Sequence, residues 1–360
     1  MKAMSSKTLA AGFQAGMERL FDRAPEIRFG AEHRLVVFSD LHLGDGGRND
    51  DFKKNAGLFL ESLRRYYLPR GFTLVLNGDI EELARFPLAR VEARWPEIYG
   101  AWRQFAERGA FYKLAGNHDL SLLRRRPRDL AFPVGEALKV RLGGHLLFLA
   151  HGHQASHLNW AFQTLGILFL RWLLNPLGFG NYTVAHSSRR RYNVEKRMYG
   201  FARLKRVMAL IGHTHRPLFE SLPRLDSVKI EIETLCRGFA QAAPGRQSEM
   251  ERQLAVLRAE YVELQQRDGR PRRAENLYHD GPLLPCLFNS GCGIGRHGIT
   301  ALEVVDGRAA LVYWFDRRRS EKFIAAQGYA PQPLAGTDYY RVELKHEELD
   351  YIFTRINLLG

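Results

Sequence analysis

Leu35-Val36-Val37-Phe38-Ser39-Asp40-Leu41-His42-Leu43-Gly44 is the stretch on which the reading of this 360-residue chain turns. Leu35 to Phe38 predicts a short buried strand. Asp40 and His42 stand two apart, so in extended chain their side chains point the same way. A carboxylate and an imidazole facing one direction at a strand end make half a metal site. Taken alone, Asp-x-His also fits a solvated turn.

Four further apolar runs end in the same fashion. Leu74-Val75-Leu76-Asn77 leads into Gly78-Asp79-Ile80-Glu81-Glu82, and Phe111-Tyr112-Lys113-Leu114 leads into Gly116-Asn117-His118-Asp119. Leu146-Leu147-Phe148-Leu149 leads into His151-Gly152-His153, and Val207-Met208-Ala209-Leu210-Ile211 into Gly212-His213-Thr214-His215. Each predicts a strand opening into a loop that carries Asp, Asn or His. Open α/β sheets place their sites at those strand ends. The repetition, in order, argues for one assembled site rather than several unrelated turns.

That ordered set resembles the calcineurin-like metallophosphoesterase superfamily, from residue 34 to about 220, with a closing strand near 285–316. The resemblance implies an α/β fold, a four-layer αββα sandwich of two mixed sheets with flanking helices. It implies two divalent metal ions. One would take Asp40, His42, Asp79 and His215; the other would take Asp79, Asn117, His151 and His213, with Asp79 shared. A set rich in imidazole favours manganese, with iron or zinc as alternatives, over magnesium. The implied activity is hydrolysis of a phosphoester or pyrophosphate bond by a metal-bound hydroxide. In that pattern His118 protonates the leaving oxygen or steadies the phosphoryl group, and Asp119 orients its ring.

Some residues keep two readings. Asp119 also fits an N-cap before Leu120-Ser121-Leu122-Leu123. Glu82 is either an acceptor for a ligand histidine or an acid at a helix start. His153 is substrate-facing or an ordinary turn histidine. Asp45, Asp50 and Asp51 touch substrate or cap the following helix, the cap being favoured.

Within the superfamily, the arginine that follows the second motif in protein Ser/Thr phosphatases is missing after Gly78-Asp79-Ile80-Glu81-Glu82-Leu83. Asp40-Leu41-His42-Leu43 and Gly212-His213-Thr214-His215-Arg216-Pro217 are more similar to UDP-2,3-diacylglucosamine diphosphatases. The chain departs from them at His118, where they carry arginine, at His151-Gly152-His153 in place of His-Gly-Asp, and in extra material at 221–284. A general phosphodiesterase or phosphomonoesterase, a nuclease, and a non-catalytic scaffold stand as alternatives.

Composition agrees with an anionic ligand. The chain carries 53 Lys and Arg against 39 Asp and Glu, a formal charge of +14, and 45% hydrophobic residues support a sizeable core. Such a balance suits a phosphorylated substrate, an anionic membrane surface or nucleic acid. No aromatic-interleaved basic motif marks a stacking platform, which disfavours nucleic acid. Arg189, Arg190 and Arg191 are candidate substrate contacts. Just before them, Trp160 to Leu174 is nearly all apolar. As helix it spans about 22 Å, short of the ~30 Å a hydrocarbon core needs. It predicts a buried helix or an apolar cap that grips a lipid tail or lies in a membrane surface.

The expected organisation is an N-terminal helical extension over 1–30, a domain over 31–320 with an inserted segment at about 221–284, and a tail over 321–360. Helices are predicted at Thr8 to Ala24, Phe52 to Tyr67, Ser248 to Arg267 and His346 to Thr354. A strand is predicted at Val228 to Ile232, and a hairpin turns at Gly143-Gly144. No secretory signal is read at the N-terminus, since Gln14, Glu18 and Arg19 interrupt its apolar face. Cys236, Cys286 and Cys292 fit reduced thiols in a cytoplasm, and Cys292 reads as a bystander. The expected location is cytoplasmic, peripheral to the inner membrane.

Overall fold

The computed structural model describes residues 6–156, 188–221, 244–268, 284–325 and 329–360, with single positions between 228 and 242. The apolar stretch 158–180 and the side chains of Arg189 and Arg190 fall outside what is described.

The described strands are β1 (Glu26–Phe29), β2 (Leu35–Phe38), β3 (Thr73–Asn77), β4 (Phe111–Leu114), β5 (Ala137–Leu142), β6 (His145–Ala150), β7 (Met208–Ile211), β8 (Leu287–Asn289), β9 (Gly298–Val305), β10 (Arg308–Asp316), β11 (Gln332–Pro333) and β12 (Tyr339–Glu348). They form two mixed sheets. One runs β11-β12-β10-β9-β2-β3-β4 and the other β1-β5-β6-β7-β8. In the first, β2, β3 and β4 are parallel and β9 lies antiparallel to β2. In the second, β6, β7 and β8 are parallel, and β5 meets β6 through the predicted Gly143-Gly144 turn.

Strand alternation decides the layering. Leu35 and Val37 pack into the cluster that holds Leu147, Leu149 and Leu210 of the second sheet; Val36 and Phe38 pack on the opposite side. A strand buried on both faces must be apolar throughout, as β2 is. The outer face of the first sheet is covered by Phe59 of the helix Ala56–Ser62 and by Trp102 and Phe105 of the helix Pro96–Glu107. The second sheet is covered by Met17 of the helix Ser6–Arg23 and by Met198 and Phe201 of the helix Ser188–Lys205. The result is helix, sheet, sheet, helix: the four-layer sandwich.

Three local readings are corrected. Where Val228 to Ile232 predicts a strand, described positions 228, 232 and 233 are helical rather than strand, and 229–231 lie outside what is described. Its alternation of apolar and charged residues fits one exposed face of either element. The predicted helix at His346 begins at Leu349 instead, because β12 continues through Glu348, with His346 paired to Ala310. Between Phe52 and Tyr67 the helical run is broken into a 3-10 turn, the helix Ala56–Ser62, and a π turn at Leu63–Tyr67.

Strands β1, β11 and β12 carried no clear sequence signal, and β12 shows why. It alternates weakly, and its buried cation Arg341 is matched by Glu303 of β9, whose carboxylate also accepts the Tyr67 hydroxyl at 2.7 Å. A polar residue that reads as surface is buried here because its partner, 38 positions away, neutralises it.

Phe38 is fully buried, edge-on to Phe59 and Tyr67 at centroid distances of 5.1 and 5.7 Å. Phe38→Ala should lower unfolding free energy by about 3–5 kcal/mol in urea titration. A loss under about 1 kcal/mol would mean the helices do not pack on this sheet as described.

Candidate metal centre

Every candidate ligand sits just beyond the C-terminal end of a parallel strand. β2 supplies Asp40 and His42, β3 Asp79, β4 Asn117 and His118, β6 His151, and β7 His213 and His215. The first sheet thus brings the carboxylates and the second brings three imidazoles, and they meet where the two sheet edges adjoin.

Backbone pairing continues past the strands and locks the loops together. Asp40 N donates to Gly78 O at 3.0 Å, His42 N to Asp79 O at 3.0 Å and Leu43 N to Ile80 O at 2.8 Å. Across the seam, His213 N donates to the Asp40 carboxylate at 3.0 and 3.1 Å. Asn77 Nδ2 reaches Leu210 O at 3.1 Å, and Ser39 Oγ lies 2.6 Å from Ser290 Oγ.

The convergence of Asp40 and His42 does not come from extended chain. Both are left-handed, at φ of 52° and 51°, as are Asp79, His213 and His215 at 53°, 65° and 54°. Such backbone costs about 1–3 kcal/mol per non-glycine residue and persists where its surroundings over-determine it. Two glycines serve close approach. A Cβ on Gly116 would collide with the Asp79 carboxylate, and one on Gly212 with that of Asp40.

The polar atoms face one another in a way that requires positive charge. His215 Nε2 lies 3.1 Å from both His42 Nε2 and Asp40 Oδ1. His42 Nδ1 donates to Glu82 Oε2 at 2.8 Å, which leaves the Nε2 lone pair facing the cluster. His151 Nδ1 donates to Asn77 O at 2.9 Å, so its Nε2 points at Asp79 Oδ2, 3.0 Å away. Lone pairs at such distances repel unless a proton or a metal cation lies between them. His151 Nε2, His213 Nε2 and Asn117 Oδ1 are buried with no hydrogen-bond partner among the described residues, as ligand atoms for a cation would be. Among the described residues, three sets of donors lie close enough to share an ion: Asp40, His42 and His215; His42, Asp79 and His118; and Asp79, His151 and His213. Asp79 belongs to two of them.

The charges answer this geometry. Burial opposes ionisation of Asp40 and Asp79, yet the surrounding imidazoles outweigh it and hold both below the usual carboxylate range. Burial likewise opposes charge on His151, and the two carboxylates overcome it, raising it to about 9. The site attracts positive charge, and a metal would compete with protons for the same atoms.

His118 is the most exposed imidazole of the group, at 14% of its side chain, and its Nδ1 lies 2.7 Å from Glu82 Oε1. Burial lowers its basicity, but the Glu82 and Asp79 carboxylates prevail and raise its pKa to about 10. The same Glu82 binds His42, so one carboxylate orients both rings; the two readings left open for it resolve to this one. Asp119 does not orient His118. Its oxygens accept Gly116 N at 2.6 Å and Ile80 N at 2.7 Å, tying together the loops that carry Asn117 and Asp79. It does not cap the following 3-10 turn through its side chain either.

His153 is buried near His151 and His213, with ring centroids 5.6 and 6.4 Å away, and its Nδ1 has no partner among the described residues. Burial and the His151 charge push its pKa down to about 3, so it is neutral. Arg191 lies in the helix Ser188–Lys205. Asp50 accepts backbone N–H groups of Gly46, Phe52 and Lys53, and is a turn residue. Burial raises the Cys292 thiol to about 12, which keeps it inert.

Sequence reading missed Glu195, Asn289 and Asn77. Glu195 accepts the Thr214 hydroxyl at 2.9 Å and the Arg216 guanidinium, and Asn289 Nδ2 donates to Gly212 O and Thr214 Oγ1, both at 2.9 Å. Together they clamp the loop bearing His213 and His215. An asparagine closing an apolar strand, as in Leu76-Asn77 and Phe288-Asn289, was the available signal.

No protein-family model and no curated protein matches the chain. Among solved structures, the chain is similar to a conserved uncharacterised protein, described as a predicted phosphoesterase, from Streptococcus pneumoniae TIGR4. The two are 12% identical over 79% of this chain and 89% of that one, with a TM-score of 0.31. At that TM-score the likeness carries no argument.

The metal-free protein should keep His118 protonated until the pH nears about 10, as read by imidazole NMR titration. A folded pKa above the ordinary 6.5 means that the stabilisation from this proton is complete below pH 6.5 and is lost as pH rises through about 10. Glu82→Gln should bring the His118 pKa down and remove that loss of stability. An unchanged titration would show that Glu82 does not hold the ring.

Proposed function

We propose that the protein is a metal-dependent hydrolase of phosphoester or phosphoanhydride bonds. The observation that carries this reading is the meeting of Asp40, His42, Asp79, His151, His213 and His215, with Asn117, as unshared electron pairs around Asp79. Asp40, His42, Asp79 and His215 would hold one cation, and Asp79, Asn117, His151 and His213 a second. Divalent ions there would supply neutralisation of phosphate charge and acidification of water. Imidazole-rich donors suit manganese, iron or zinc.

The chain's own contribution is order and a proton. Glu82 and Asn77 O fix the tautomers of His42 and His151, so that Nε2 of each is free to bind. The Glu195 and Asn289 clamp holds His213 and His215 against the first sheet. His118, charged at neutral pH and fixed through Nδ1, holds its second proton at Nε2, where a leaving oxygen can take it. Asp119 keeps the loops of Asp79 and His118 in register.

The narrower reading is a pyrophosphate in a lipid-linked sugar nucleotide such as UDP-2,3-diacylglucosamine, cleaved at an anionic membrane surface. Its support is the motif pattern together with the apolar run Trp160 to Leu174 and the arginines that follow it. No described helix is long and apolar enough to cross a membrane. Phosphatidylglycerol vesicles and the UDP-linked substrate test this narrower form separately from general phosphoesterase activity.

Two variants should behave differently with manganese and bis-p-nitrophenyl phosphate. Asp79→Ala should lose bound metal by elemental analysis and lose activity with it. His118→Ala should keep its metal and lose about 10²–10⁴ in rate. Full activity in His118→Ala would refute its role as acid. A metal-loaded protein that turns over no phosphoester would favour a non-catalytic scaffold.

A further inference from the structure

His153 lies beside the metal centre, and the proposed hydrolysis gives it no task. The residue is 5% exposed, and its Nδ1 is enclosed with no hydrogen-bond partner among the described residues. Buried polar atoms in folded proteins nearly always have partners, so an orphaned one marks a missing group.

The turn that carries His153 does not need an imidazole. Gly152, at φ of 101°, reverses the chain and lies against Ile211 and His213. The backbone oxygen of His153 accepts Ser156 N at 3.0 Å and Ser156 Oγ at 2.8 Å, and Gln154 Oε1 accepts Gly152 N at 3.0 Å. These bonds use backbone atoms and the side chains of Gln154 and Ser156, and none uses the ring. The ring is left facing His151 and His213, whose own centroids are 5.3 Å apart.

A further metal ligand is the first role such a ring suggests, and the geometry speaks against it. Two nitrogens on one cation lie within about 4.2 Å of each other, twice a metal–nitrogen bond. Among the described residues, the donors that come within 4.8 Å of one another join His151 and His213 to Asp79 and leave His153 out. His153 adjoins the ligands without joining them, so it can reach what a cation there would hold rather than the cation.

We infer that His153 is a substrate contact, its Nδ1–H donating to a non-bridging oxygen of the phosphoryl group bound beside His151 and His213. A hydrogen bond to so charged an acceptor is short and strong. His118, beside His42 at a centroid distance of 4.7 Å, gives its proton to the leaving oxygen; His153 keeps its proton and grips an oxygen that stays on phosphorus. The inference rests on the phosphoester reading for its substrate, and phosphate binding measures it without turnover.

The test compares wild type with His153→Phe, which keeps a ring and removes both nitrogens, and His153→Asn, whose amide nitrogen falls close to the place of Nδ1. Each full-length protein is loaded with manganese, its metal content is measured by elemental analysis, and inorganic phosphate is titrated in by calorimetry. All three should hold the same metal. Phosphate affinity should fall roughly ten- to hundredfold in His153→Phe and largely return in His153→Asn. Where His153→Phe fails to fold, His153→Ala takes its place in the same comparison. An affinity unchanged by removal of the nitrogens, no phosphate binding in wild type, or no recovery in His153→Asn overturns the inference. Metal lost together with the nitrogens overturns it too, since His153 then serves the metal site itself. Turnover of bis-p-nitrophenyl phosphate separates the two readings. A phosphate affinity that depends on His153 in a protein that hydrolyses nothing sinks the hydrolase and leaves the contact. Turnover with the same KM and phosphate affinity in every variant sinks the contact and leaves the hydrolase.

Discussion

The Asp79 carboxylate stands at the seam between the two sheets, and the surrounding architecture exists to keep it charged there. One oxygen accepts His118 N at 2.7 Å and the other faces His151 Nε2 at 3.0 Å. An isolated ionised carboxylate in so dry a place would cost many kcal/mol. It is tolerated because imidazoles from both sheets surround it and because the site admits positive charge. Remove that demand, and five left-handed residues, the packed glycines and the buried unpartnered nitrogens have no physical reason to persist together.

Glu82 extends the same logic outward. A single carboxylate takes the Nδ1 protons of His42 and His118, so the ring proposed to bind a cation and the ring proposed to give up a proton are set by one group. Beneath it, Glu81 turns the other way and is neutralised in the interior by Lys113 Nζ at 2.5 Å and the Tyr99 hydroxyl at 2.6 Å. Two adjacent glutamates thus serve opposite directions: one faces the site, the other anchors its loop to the helix and strand behind. On the second sheet, Glu195 and Asn289 do the corresponding work for the His213–His215 loop. Rigidity is divided between the two sheets, and the ligand set is complete only when both are in place.

Much of this was legible in the linear chain. Runs such as Leu35 to Phe38 are apolar at every position, which only strands buried on both faces need to be, and each ends in the residues that carry the site. The layered fold followed from that pattern and from the resemblance it carried. The helical positions 228, 232 and 233 and the start of the last helix were misread because short half-polar segments satisfy either period. Strand β12 was invisible because Arg341 and its partner Glu303 are distant in sequence, and a charge can be judged buried only when its partner is known.

By itself, the sequence determined which residues could bind cations and the strand ends on which they would lie, since both depend on local pattern and residue chemistry. The tertiary structure alone decided how they are held. It gave Glu82 to both His42 and His118, moved Asp119 from ring orientation to loop bracing, and replaced extended backbone with left-handed turns at Asp40 and His42. Each of these depends on segments tens of positions apart. No local periodicity encodes such a relation; only the packing of one sheet edge against another fixes it.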